Sequence, residues 1–378
     1  MKLFQWRGRV SRKEFRKEFL AAVIKAAPHV RCAEVADDEL AFRIEGLDEY
    51  KEVNVSLQRA YAEFEQDPGE RERIMERWLR ATEHVWLPER ALDPADVVPM
   101  IKQRAWLEAQ WPPGQPAPAR DSPDSFWYED LNAELIVVYA VHRNGFAYSQ
   151  RSELAAAGVT EQNIRSLALE NLRRLTPERE FSTVNGIWMI MAGGNFESSL
   201  LVDDSVWNDS RFAGGTLLVA APERDGLFAT TSDSADAVWN LASMASHGVR
   251  TQPYPISSRL FVRAGDRFEL LDPEDHDDEH PIPALDVLDI EATGKDGTSR
   301  FVIVIATPLA RDSRSVFRLF RKIDGYLAHF AATKRAKEAT ELEISIHPGT
   351  DRAIFALLAA LPEYIASRGA RLVVERRK

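Results

Sequence analysis

Apolar and polar positions alternate along the chain in a pattern that divides it into three modules. In residues 1–88, Ser11-Arg12-Lys13-Glu14 predicts a capping box, in which the hydroxyl and the carboxylate each satisfy an amide at a helix start. Phe15, Phe19, Ala22 and Val23 follow at helical spacing until Pro28. Segments 30–35, 40–44 and 53–55 alternate as strands. Segments 57–64 and 71–86 read as helices parted by Asp67-Pro68-Gly69, where proline lacks the amide donor and glycine relaxes the backbone. The predicted order is α-β-β-β-α-α.

Residues 89–125 read as a proline-rich hinge. Trp111-Pro112-Pro113-Gly114-Gln115-Pro116-Ala117-Pro118 is expected to be extended, and 97–106 to form a strand or short helix. The central module, 126–271, is a mixed α/β sheet domain. It begins with a continuous apolar run at 135–141, a buried strand, before an Asn144-Gly145 hairpin turn. Thr160 caps a helix through Leu175. Strands are expected at 187–191, 198–202 and 217–221. Ser234 caps a helix to His247, and 259–262 pairs with 267–270 in a hairpin. An acidic linker, 272–284, leads to the third module, 285–378. There a hairpin, a helix at 313–332, a strand at 341–347, a helix at 350–367 and a strand at 371–375 give a β-β-α-β-α-β sandwich. The fold class is α+β throughout.

Composition bounds the setting. The chain has 378 residues and a formal charge of −11, which argues against a dedicated nucleic-acid coat. Cys32 is its single cysteine, so no internal disulfide forms, in keeping with a reducing cytosol. There is no signal-peptide pattern and no uncharged apolar stretch long enough to span a bilayer, so a cytoplasmic protein without membrane contact is expected.

Leu131-Asn132-Ala133-Glu134-Leu135-Ile136-Val137-Val138-Tyr139, Leu169-Glu170-Asn171-Leu172 and Pro222-Glu223-Arg224-Asp225 carry a resemblance. So do Val53-Asn54-Val55-Ser56-Leu57, Tyr61, Asp67-Pro68-Gly69-Glu70-Arg71 and Ser257-Ser258-Arg259-Leu260-Phe261. In order and spacing, residues 10–271 resemble the bacterial YtpQ family, domain of unknown function 1444. The last module is similar to domain of unknown function 6572 through Gly297-Thr298, Phe320, Lys322-Ile323, Gly325-Tyr326-Leu327 and Ala370-Arg371-Leu372. The resemblance implies a bacterial cytosolic protein of this architecture. It brings no established activity and no catalytic residue.

Standard signatures are missing from the sequence: no G-x-S-x-G, H-E-x-x-H, paired C-x-x-C, phosphate loop or G-x-G-x-x-G. No catalytic residue and no cofactor is assigned. The ligand-binding candidates are Arg224, Asp225 and Asn171. Arg224 follows a buried strand, where a guanidinium can grip a carboxylate or phosphate; the competing reading is an Arg–Asp pair that stitches a loop. A polar Asn171 on an apolar helix face either reaches a pocket or satisfies nearby backbone. His276 and His280 sit among carboxylates, but a solvated acidic linker is preferred to a metal site, and no metal is assigned.

Charge is uneven. Residues 300–378 carry 15 Lys/Arg and 8 Asp/Glu, or +7, which leaves −18 for the rest. Arg311, Arg314, Arg318, Arg321 and Lys322 recur at three- and four-residue intervals opposite a core stripe of Val316, Leu319, Phe320, Ile323, Tyr326, Leu327 and Phe330. Those five are the partner-binding candidates. The face reads as a solvated surface, a docking surface for an acidic protein partner, or a nucleic-acid site, in that order, since the rest of the chain repels polyanions. The acidic linker, with six carboxylates, is placed to fold across this helix and mask it. The expected function is a non-catalytic interaction or adaptor protein of open oligomeric state. The alternatives are an enzyme or small-ligand sensor with a pocket near Arg224 and Asp225, and an immunity protein that binds a toxin.

Overall fold

Ser11 opens the first helix with the expected capping box: its hydroxyl accepts the Glu14 amide, and the Glu14 carboxylate accepts the Ser11 amide at 2.9 Å. In the computed structural model, the described residues are 10–28, 30–35, 39–45, 52–82, 92–111, 116–143, 145–231, 233–295, 297–333 and 340–376. They fall into two compact units. The first comprises residues 1–96 with 140–148 and 153–159; the second comprises the remainder.

In the first unit, α1 (Arg12–Ala26) covers an antiparallel sheet β1 (Arg31–Glu34), β2 (Ala41–Glu45) and β3 (Glu52–Ser56), in that order. Helices α2 (Gln58–Gln66) and α3 (Arg71–Thr82) follow. Phe15, Phe19, Phe42, Ile44, Leu57 and Phe64 form the core. The expected α-β-β-β-α-α order is present; the predicted continuation of α3 to residue 86 lies outside the described residues, as do Asn144 of the predicted hairpin turn, Asp296 of the Lys295-Asp296-Gly297 turn expected in the hairpin that opens the third module, and residues 112–115 of the hinge.

Along the chain come β4 (Val97–Gln103), α4 (Ala105–Glu108), β5 (Tyr128–Asp130), β6 (Leu135–His142), β7 (Phe146–Tyr148), α5 (Arg151–Ala156) and α6 (Ile164–Leu175). In the second unit β4, β6 and β5 are neighbours in one sheet, and β4 is almost wholly buried. The helix expected from Thr160 begins four residues later. Asn163 Oδ1 accepts the Thr160 amide at 2.7 Å and closes a turn first.

A six-stranded antiparallel sheet contains β8 (Glu180–Val184), β9 (Ile187–Met191), β10 (Leu218–Glu223), β11 (Gly226–Thr230), β12 (Phe261–Ala264) and β13 (Arg267–Leu270), ordered β13-β12-β10-β11-β9-β8. The strand expected at 198–202 is instead a fully buried 3₁₀ turn, Ser198–Val202, ahead of α7 (Asp204–Trp207). A continuous apolar run does not distinguish these states by periodicity. Helix α8 (Ala235–Thr251), capped by Ser234, joins β11 to β12 and packs on β10.

The last sheet is β14 (Ile290–Thr293), β15 (Ser299–Ile305), β16 (Thr340–Ile346) and β17 (Arg371–Arg376), in that order. The first pair is antiparallel and the other two are parallel. Parallel neighbours need crossovers. Helix α9 (Ser313–Ala332) supplies one, and α10 (Arg352–Ala360) with α11 (Pro362–Ser367) the other. The single helix expected at 350–367 breaks at Pro362, which has no amide to continue the ladder and starts a new helix at its first position. The β-β-α-β-α-β order is otherwise as expected.

One apolar cluster runs from Leu218 and Ala220 through Val238, Leu241 and Ala245 of α8 to Phe317 and Phe320 of α9 and on to Phe301, Ile303, Leu342 and Ile344. Trp239 meets Phe320 edge-on at 5.0 Å and Tyr364 at 6.1 Å. The segments read as a central module and a C-terminal module thus share a core, with helices between the two sheets.

Candidate functional site

Helix α9 places Arg314, Arg318, Arg321 and Lys322 along one side at helical spacing, and the segment 272–289 lies against them. Asp272 and Arg318 are both 0% exposed. Arg318 Nη1 donates to both Asp272 carboxylate oxygens at 2.8 and 3.0 Å, and its remaining donors reach the carbonyls of Glu274, Asp275, Ile282 and Pro283. Arg314 donates to Asp272 at 3.0 Å and to Asp277 at 2.6 Å. Arg321 reaches Asp272 at 3.4 Å and Asp275 at 2.7 Å. Lys322 Nζ is tied to the carbonyls of Ala284 and Val287 and to Asp289, all within 2.7 Å. Arg311 is exposed.

The fork of a guanidinium suits this arrangement, because several donors converge on one carboxylate and on carbonyls that water cannot reach. Burial works to raise the Asp275 carboxyl, but Arg321 and Arg259 outweigh it and hold it below the usual range. Arg314 does the same for Asp277. His280 accepts the Ile282 amide on Nδ1 at 3.0 Å and faces Ser315 Oγ with Nε2 at 3.2 Å, the bonding of a neutral ring. Burial lowers its pKa first, and the nearby Arg318 and Arg314 charges add to this. The segment read as a solvated linker is therefore packed through Asp272, and most of the cationic side is engaged within the molecule.

Arg224 and Asp225 lie at the turn between β10 and β11. Arg224 Nε and Nη2 donate to the two Asp225 oxygens at 2.6 and 3.0 Å, and the guanidinium lies 4.2 Å over the Tyr254 ring. Tyr254, between two prolines, has φ +62° and is 54% exposed. A left-handed backbone is strained for a residue with a side chain. The Arg224 amide donates to the Tyr254 carbonyl and helps hold it there. Two neighbours absent from the sequence candidates have shifted protonation. Glu223 is pushed up to about 7 by burial and then by the Asp225 charge. Lys102 is pulled down to about 8 by burial and then by the Arg224 charge.

Asn171, 5% exposed on α6, donates from Nδ2 to the Val97 carbonyl at 2.9 Å, where it supports β4. Sequence reasoning also missed two buried carboxylates. Glu197, 3% exposed, accepts the amides of Ala192, Gly194 and Phe196. Gly193 and Gly194, both at positive φ, shape the loop around it. Asp203, 0% exposed, is held near 2: burial opposes its charge, and Arg173, Ser205 and Arg179 overcome that. A carboxylate three or four residues past a glycine doublet was the available signal for Glu197. For Asp203 there was none, because its cations lie 24 and 30 positions away.

The chain is similar to UPF0354 proteins of Bacillus. Those of Bacillus cereus strain AH187 and Bacillus thuringiensis subsp. konkukian strain 97-27 are each 25% identical over 233 residues, 60% of this chain and 82% of the relative. These are proteins of uncharacterised function, consistent with a family of the YtpQ type. No family model matches the chain. No solved structure matches it. Among the described residues, no helix is long and apolar enough to cross a membrane.

Proposed function

We propose that the chain is a non-catalytic interaction or adaptor protein. One observation supports this reading: among the described residues, the candidate side chains other than Arg311 are engaged within the molecule. Asp272 holds three guanidinium groups of α9, and Arg224 is closed on Asp225. The docking surface for an acidic partner is then the N-terminal end of α9, where Arg311 is exposed and Arg314 is 36% exposed, with Arg318 and Lys322 supporting it from inside. Affinity capture from the native bacterium with wild type and Arg311→Glu tests it. The expected result is one protein held by wild type, released by the charge reversal and rebound at 1:1 from purified components. Capture of no specific protein, with thermal stabilisation by a metabolite, contradicts the reading.

A second reading, a small-ligand sensor or enzyme at Arg224 and Asp225, is favoured by Glu223 and Lys102, both moved toward neutral pH beside a strained Tyr254. Ligand-induced stabilisation lost in Arg224→Ala and kept in Arg311→Glu is its signature. An immunity protein that binds a toxin would use the same α9 surface as an adaptor.

A further inference from the structure

The last sheet ends in an open strand. β17 pairs with β16 in an unbroken parallel register from Arg371 to Arg376, and among the described residues no strand lies on its other side. An edge strand presents a row of unpaired amides and carbonyls, which proteins usually blunt with proline, a bulge or a cover. β17 reads Arg371-Leu372-Val373-Val374-Glu375-Arg376, with no proline and no bulge. Leu372 and Val373 are half-buried, and Val374 is 37% exposed. The other outer strands of this sheet and of the six-stranded sheet differ. On β13, Asn132 Nδ2 donates to the Phe268 carbonyl at 3.1 Å. β14 and β8 carry one charge each, Glu291 and Glu180, and no cation.

Side-chain charge gives a second indication. Phe301, Ile303, Leu342 and Ile344 belong to the core cluster, so strand alternation turns Arg300, Glu341 and Arg371 to the opposite side of the sheet. Arg300 faces Glu341 between β15 and β16, and Glu341 faces Arg371 between β16 and β17. Glu341, 4% exposed, is paired with Arg300 at 3.1 Å and with Arg371. The row runs cation, anion, cation and stops at Arg371, whose side chain is 76% exposed. An anion on the next strand outward would continue it. Glu375, on the same side of β17 as Arg371, is exposed and has no ion pair among the described residues.

Backbone geometry restricts how a second copy meets this edge. Facing residues of an antiparallel pair both turn their backbone groups to the partner strand or both turn them away. A two-fold axis therefore sets one residue against itself. With the axis at Val373, Leu372 faces the second copy's Val374 and Arg371 faces the second copy's Glu375, once on each side of the axis. Each charged row then reads Arg300, Glu341, Arg371 and the second copy's Glu375, alternating in sign throughout. An axis at Leu372 or Val374 would set Arg371 against Val373 or Arg377 instead. Opposite charges directly across two strands stabilise the pairing, and like charges oppose it.

We propose that β17 pairs antiparallel with β17 of a second copy of this chain, about an axis at Val373, and joins the two last sheets edge to edge. The same patch serves both copies, so the assembly closes as a dimer. It uses none of the α9 residues on which the adaptor reading rests.

Sedimentation velocity of the full chain from about 1 to about 100 µM tests it. The expected result is a reversible monomer–dimer equilibrium without larger species. Arg371→Glu and Glu375→Arg each set like charges face to face, and each should weaken dimerisation at least tenfold. Mixed together, these two variants again face opposite charges and should form a heterodimer of near wild-type affinity. Because Arg371→Glu also sets a second carboxylate beside Glu341, its folding is checked by circular dichroism, and cross-linking provides an independent measurement. In a Cys32→Ser background, Val373→Cys should form a disulfide-linked dimer on mild oxidation. Val374→Cys, displaced from its own counterpart by roughly 7 Å along the strand, should not. A monomer at every concentration overturns the proposal and leaves the edge to a strand of another protein. Growth beyond a dimer, as head-to-tail pairing of β17 with β14 would give, also overturns it. So does a dimer indifferent to both charge reversals, failure of the folded variants to associate on mixing, or equal cross-linking at 373 and 374.

Discussion

Three guanidinium groups reach Asp272, a residue with no exposure to solvent. Removing one member of a buried ion network leaves the others charged and unpaired, at a cost of about 3–5 kcal/mol. Asp272→Asn should lose about that much in urea unfolding, whereas Asp278→Asn, an exposed neighbour in the same acidic run, should stay within about 0.5 kcal/mol of wild type. Equal effects would mean that the cations of α9 do not depend on Asp272. A different prediction attaches to Glu223. Its folded pKa is raised, from 4.5 to about 7. Between those values the native state holds a proton that the unfolded state releases, so this residue makes stability fall as pH rises from about 4.5 to about 7. Glu223→Gln should flatten the decline, read as a smaller difference between urea midpoints at pH 5 and pH 7.5. An unchanged difference would place the pH dependence elsewhere.

At the scale of elements, α8 illustrates how closely the layers fit. A Cβ on Gly248 would lie 2.8 Å from Pro222 Cβ and 3.0 Å from its Cγ, so the helix approaches β10 only because that carbon is absent. Gly248→Ala should destabilise by about 1–3 kcal/mol through overpacking. Gly325→Ala, on α9 where an added Cβ makes only an ordinary 3.7 Å contact with the Leu285 carbonyl, should instead stabilise by up to about 1 kcal/mol. Thermal melts of the two variants should therefore move in opposite directions. The same elements show what the sequence made legible. Amphipathic stripes and caps are local, so α9 was readable to its ends and the Ser11 and Ser234 starts were correct. The 3₁₀ turn at Ser198–Val202 was not readable, because every side chain there is buried and no alternation survives. Strand β11 has no counterpart in the sequence reading for a related reason: its five residues are mostly buried and show no alternation. At the candidate sites, the Arg–Asp pairing at 224 and 225 was visible because the partners are adjacent in sequence. The bonds of Arg318 and Arg321 to Asp272 span 46 and 49 positions, so sequence analysis raised masking as one reading without identifying Asp272 as its centre.

At the scale of the molecule, the central and C-terminal segments are bound by a common interior. The sequence suggests a boundary within the acidic stretch, since charge and proline normally mark a linker. Yet Trp239 on α8 packs against Phe320 and Tyr364, and the apolar side chains of β15 and β16 belong to the same cluster as those of β10. A chain ended after Ala284 would lose α9, α10, α11 and the last sheet together. It would expose the outer side of α8, including Trp239, and strip Asp272 and Asp275 of their α9 arginines. An exposed apolar layer and an unpaired buried carboxylate act in the same direction. The truncated chain should bind a hydrophobic dye, lose the near-ultraviolet dichroism of its ordered aromatic rings and show no cooperative thermal transition from the second unit. Full-length protein should unfold α8 and α9 together, with their amides exchanging at a common rate in native-state hydrogen exchange. Cooperative unfolding of the truncated chain, with protected amides in α8, would mean that the central sheet closes its own core and that the contacts across the acidic segment are incidental to its stability.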